Sequence, residues 1–76
     1  MKGDPQINGR ALRAIRELQQ IPASKMADDL GLSRSYLSQI EHGHRGCRAS
    51  VIRSMANYLL VEPSAICTFA EPVDAA

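Results

Sequence analysis

The 76-residue sequence contains no tryptophan and only three aromatic residues, Tyr36, Tyr58 and Phe69, or 4% of the chain. A core poor in rings must come from aliphatic side chains, and the 45% hydrophobic content supplies enough for one. Two cysteines, Cys47 and Cys67, are too few for a disulfide-stapled secreted scaffold. No apolar run approaches the ~20 residues that a membrane span needs. Met1-Lys2 is followed by Gly-Asp-Pro-Gln, not by the apolar stretch of a secretory signal, so a cytoplasmic protein with no membrane association is expected. A chain this short buries only roughly 60% of its unfolded surface, which leaves a thin stability margin and no room for a multidomain enzyme. There is no nucleophile elbow, phosphate-cradling glycine loop or HExxH motif. The expectation is therefore a small binding module, without catalysis and without a cofactor.

Charge of one sign is also scarce, and the formal net charge is +1. The two ends of the chain nevertheless differ. Residues 1–48 carry eight basic and five acidic residues, a balance of +3, whereas residues 49–76 carry one and three, a balance of −2. Seven of the nine basic residues are arginine, whose planar fork suits bidentate contact with phosphate and guanine. Between Arg34 and Arg53 the only acid is Glu41. A solvated face explains such a run as readily as a nucleic-acid surface does.

The periodicity is helical. β-branched alternation is absent, and apolar residues recur at intervals of three and four. Residues 1–8 read as an arm ending in Asn8, a suitable N-cap. A first helix is expected over about Gly9–Gln19, with Leu12, Ile15 and Leu18 inward. A second spans Ala23–Leu30 after Pro22, with Met26, Ala27 and Leu30 inward. Gly31 ends it in the left-handed conformation. Ser33 caps a third helix, Arg34 to about Glu41, whose inward residues are Leu37 and Ile40. Gly43 and Gly46 bracket a basic loop, and a fourth helix runs from about Ala49 to Leu60 with Ile52, Met55, Ala56 and Leu59 inward. A short fifth helix is expected over about Pro63–Thr68. The domain then covers residues 9–69, followed by a flexible tail, 70–76.

The second and third helices are separated by only Gly31-Leu32-Ser33, the length of a helix-turn-helix connection. Ala27 is small where the two helices cross, and Leu32 and Ile40 return to the core. On these residues the chain resembles the Cro and phage-repressor, XRE-like family of helix-turn-helix proteins. The resemblance rests on LRAIREL at 12–18, SKMADDLGLSRSYLSQIEHG at 24–43 and SMANYLLVEPSAI at 54–66, three blocks in order. It implies an all-α, compact five-helix, lambda-repressor-like domain. It also implies a sequence-specific regulator of transcription that binds double-stranded DNA, with helix 3 in the major groove.

Carried onto this chain, the resemblance makes Arg34, Ser35, Ser38 and Gln39 the base-reading set. Arg34 suits guanine and Gln39 suits adenine. Ser24, Lys25, Ser33, Tyr36, His44, Arg45 and Arg48 are the phosphate set, Tyr36 having a second reading as a ring that covers helix 2. Arg16 and Glu41 occupy the positions of the family's structural ion pair. The chain departs from the family at Pro22-Ala23, where Ser or Thr then Gln is common, and at Cys47, where Pro is usual. Gln20 and Leu60 stand where turn glycines are common.

One reading helix supplies few contacts, so a homodimer on a two-fold-symmetric operator is expected. Val61, Ile66, Phe69 and Val73 are its candidate surface. With only a tail after the helices, a Cro-like or minimal repressor is expected. His42, His44, Cys47 and Cys67 have metal-ligand chemistry but no familiar finger spacing, so no metal is expected. The rival reading is a protein-interaction module, an antitoxin or adaptor built on the same fold.

Overall fold

Asn8 sets the start of the first helix. Its extended backbone and its Oδ1, which accepts from the Ala11 amide at 3.1 Å, satisfy one of the free donors of helix α1, Gly9–Leu18. In this computed structural model, which describes residues 5–69, three further α-helices follow. They are α2, Ala23–Leu30, α3, Arg34–Glu41, and α4, Ala49–Leu59. Gly31 ends α2 at φ +72°, and its neighbour Leu32 donates its amide back to the Ala27 carbonyl at 2.8 Å. Ser33 Oγ then accepts from the Tyr36 amide at 3.0 Å and starts α3. Turn chemistry alone thus places a C-cap and an N-cap within three residues, which ends α2 and starts α3 in a new direction.

The core is aliphatic, as the composition requires. Leu12, Met26, Ala27, Leu37, Ile40, Ile52, Met55, Ala56 and Leu59, from the four α-helices, are buried together with Ile66. Ala27 is fully buried where α2 meets α3. Ile15 and Leu30, both expected inside, pack against the cluster from its edge.

Leu18 corrects the expected inward face of α1, because it is 83% exposed. Six residues after Leu12 at 100° per residue, it lies about 120° from Leu12 and farther still from Gly9 and Arg16, off the stripe that those three share. The fifth helix is corrected as well. Only a single 3-10 turn forms, Pro63–Ala65, and the chain then extends as strand β2, Cys67–Phe69. Its partner is β1, Pro5–Ile7, in residues expected to be an arm. The two strands are antiparallel, with Ile7 opposite Cys67 and Gln6 opposite Thr68. Cys, Thr and Phe are indifferent helix formers, and the pairing with β1 supplies the hydrogen bonds that another helical turn would have made. Asn8 adds to the ribbon by donating its amide to the Ile66 carbonyl at 2.8 Å. The expected tail, 70–76, lies outside the described residues.

Two side chains adopt backbone conformations that favour glycine. Gln20, just past the end of α1, has φ +61°, and Leu60, the C-cap of α4, has φ +60°. The chain therefore keeps the turn geometry without the turn residue, at a cost of about 1 kcal/mol each.

Candidate nucleic-acid interface

The third helix presents two faces. Leu37 and Ile40 are buried, while Arg34, Ser35, Ser38 and Gln39 are all exposed on the opposite side. Gln39 Nε2 donates to Ser35 Oγ at 3.4 Å, so two of the four base-reading candidates already form a surface pair along the helix. The structure brings the whole set onto one face, as the i, i+4 geometry dictates.

What fixes α3 is a buried ion pair. Arg16 Nε donates to Glu41 Oε2 at 2.7 Å and Nη2 donates to Oε1 at 2.9 Å. A third donor, Nη1, reaches the Ile21 carbonyl at 2.8 Å, and both residues are only 8% exposed. The hydrogen bonds to Glu41 raise the Arg16 pKa above its ordinary value, against the lowering effect of burial. The pair expected at these positions is present, and it ties α1 to the last residue of α3. Gly9 closes the same contact at the other end of α1. A Cβ there would meet the carbonyl oxygens of Ile40 and Glu41, so only glycine lets the helix start sit against the end of α3. Nothing in the sequence around Gly9 announces that constraint.

The phosphate candidates are distributed unevenly. Ser33 Oγ is engaged as an acceptor in its cap, which leaves its O–H free to donate outward. Lys25 is exposed but donates to Asp29 at 3.1 Å, and this bond raises its pKa. Asp29 also accepts from the Tyr58 hydroxyl at 2.6 Å, which joins α2 to α4. Its carboxyl pKa is lowered, first by Tyr58 and then by Lys25. Ser24 is half-buried in the first turn of α2. Arg48 is the exposed N-cap of α4, with no side-chain cap bond.

His44 and Arg45 are exposed in the loop between α3 and α4. The Arg45 guanidinium lies 4.8 Å from the Tyr36 ring centroid, a cation–π contact that sequence spacing did not reveal. Tyr36 is half-buried against the core. At the end of α3, His42 donates from Nδ1 to the Ser38 carbonyl at 2.8 Å, and His42 and His44 meet edge-on. Among the described residues, no three His, Cys, Asp or Glu side chains converge where a metal ion could be held.

Of the dimer candidates, Ile66 is corrected. It is fully buried in the core and cannot face a partner. Val61 is half-buried, Phe69 contributes its backbone to β2, and Val73 lies outside the described residues. Sequence reasoning missed the two large hydrophobics that are exposed, Leu18 and Leu60, at 83% and 89%. Gln19 Nε2 donates to the Leu59 carbonyl at 2.7 Å and so holds these two helix ends side by side.

A helix-turn-helix with an exposed polar reading face, held by a buried Arg–Glu pair, defines a DNA-binding module. The family comparison agrees, since a helix-turn-helix domain model matches residues 9–66. The crystal structure of the restriction-modification controller protein C.AhdI from Aeromonas hydrophila is similar in sequence and shape. It is 32% identical, aligns over 75% of this chain and 86% of that one, and has a TM-score of 0.71. Among curated proteins none matches. The chain belongs to the helix-turn-helix family, in its Cro and phage-repressor, XRE-like branch, and is a DNA-binding regulator of transcription. No helix of the described residues is long and apolar enough to cross a membrane.

Proposed function

We propose that the protein acts as a homodimeric regulator on a two-fold-symmetric operator, with α3 of each copy in the major groove. The observation that carries this reading is the undivided polar face of α3, with all four reading candidates exposed and the helix locked from behind by Arg16–Glu41. Arg34 grips guanine through O6 and N7, and Gln39 grips adenine through N6 and N7. Ser35 and Ser38 make closer, less discriminating contacts. Arg45, held over Tyr36, and Arg48, at the start of α4, take phosphates on one side of the groove, together with His44 of the same loop. Ser33 donates to a phosphate at the start of α3. Lys25 and Ser24 serve the opposite strand once Lys25 leaves Asp29.

The dimer contact draws on Leu60 and Val61, with Leu18 beside them, in place of Ile66. The similarity to a restriction-modification controller protein supports a regulatory role.

Selection from a random duplex library tests the whole reading. The expected winners are inverted repeats whose half-sites lie about one helical turn apart, roughly 34–36 Å. If no sequence is enriched over the starting pool, the module reads protein rather than DNA, and the antitoxin or adaptor reading replaces this one.

A further inference from the structure

We infer that Asp28, on α2, is a positioning and specificity-determining residue that orients Arg34 for guanine and penalises nonspecific contact. The inference rests on the reading of α3 given above. Asp28 Oδ2 accepts from Arg34 Nη2 at 3.0 Å, and the two side chains are 59% and 68% exposed. An ion pair so open to water adds almost nothing to folding, and its geometry joins one oxygen to one nitrogen. Stability therefore does not account for a carboxylate at this place.

Its location suggests another role. Arg34 is the first residue of α3, and the chain before it turns sharply at Gly31, so the tip of the reading helix lies beside the last turn of α2. A guanidinium has five N–H donors, and guanine uses two of them. Asp28 occupies Nη2 and leaves other donors to meet O6 and N7. A long side chain with many rotamers is thereby restricted before DNA arrives, so less entropy is lost on docking.

The same carboxylate acts against wrong sites. Near the phosphates it repels, and beside a wrong base it holds back an arginine that would otherwise find a phosphate. Opposite the guanine edge it has only acceptors to offer, so an adjacent cytosine or adenine amino group is favoured over a second acceptor. Asp29, one residue on, has no such access, being engaged by Tyr58 and Lys25.

The test compares Asp28→Asn, Arg34→Ala and the double variant on the selected operator, on its single-base variants at the guanine position, and on unrelated duplex. In the wild type, guanine should be preferred at one position of each half-site, and Arg34→Ala should remove that preference. Asp28→Asn should reduce it about three- to tenfold, while unrelated duplex binds more tightly with a steeper salt dependence. In the Arg34→Ala background, Asp28→Asn should leave base preference at that position unchanged. Asp28→Glu should restore part of the preference, because charge and acceptors return on a longer arm. If Arg34→Ala removes the preference but Asp28→Asn does not alter it, the positioning role is overturned and the reading of α3 stands. If wild type shows no base preference at all, the DNA reading itself fails.

Discussion

Arg16 and Glu41 carry full charges into an apolar interior, and their geometry decides what that costs. Two bonds between them and a third to the Ile21 carbonyl use much of the available hydrogen-bonding capacity. Removing one partner leaves the other charge buried and unmatched, which costs about 3–5 kcal/mol, comparable to the whole stability of a small domain. Arg16→Ala or Glu41→Gln should therefore leave much of the protein unfolded in urea titrations at 25 °C. The paired change Arg16→Met with Glu41→Leu should lose far less. Cys47 gives a second residue-scale prediction. Burial raises its thiol pKa, so the folded chain holds this proton at pH values where an unfolded chain releases it. Its contribution is present below the ordinary thiol value and is lost as pH rises through the folded one. Iodoacetamide should then alkylate Cys47 more slowly than a small-molecule thiol at pH 8.5, and urea should bring the two rates together. The ion pair was legible through the family pattern at LRAIREL and QIEHG. The contacts Asp28–Arg34, Arg45–Tyr36 and Tyr58–Asp29 were not, because each depends on how two elements cross and on which rotamer the crossing permits.

At the scale of elements, the relation of α1 to α3 depends on Gly9. A Cβ would lie 2.8 Å from the Glu41 carbonyl oxygen and closer still to that of Ile40, and backbone cannot swing aside as a side chain can. Gly9→Ala should thus destabilise the protein by about 1–3 kcal/mol through overpacking, despite the better helix propensity of alanine. Because the displaced element is the reading helix, operator affinity should fall by more than the unfolded fraction explains. Denaturation and operator titration on the same sample check both. The elements themselves were read well where local chemistry decides them. Asn8, Gly31 and Ser33 mark their caps, and Leu37, Ile40, Ile52, Met55, Ala56 and Leu59 fall on the buried stripe. The segment after Pro63 was misread for a physical reason. Whether Cys67–Phe69 coils or extends is settled by Pro5–Ile7, some sixty residues earlier, and periodicity in a short window carries no trace of such a partner. The same blindness put Ile66 on the surface, since its burial depends on the turn that replaced the helix.

For the whole molecule, folding and association meet at Leu60. The side chain is 89% exposed and its backbone is held at φ +60°, so within one copy it contributes strain and an apolar surface facing water. Glycine would relieve both at no loss of packing, stabilising the monomer by about 1 kcal/mol. If two copies meet through Leu60 and Val61, that relief comes at the expense of the dimer, which loses an apolar anchor near its centre. The two effects are separable because only one depends on concentration. Leu60→Gly should raise the thermal midpoint at dilutions where the wild type is monomeric, and weaken self-association about tenfold or more in sedimentation equilibrium. Operator binding should become less cooperative, while the base preference of each half-site is retained. Leu18→Ser, which leaves the backbone alone, should weaken association without the thermal gain. A Leu60→Gly chain that dimerises like the wild type would move the contact elsewhere.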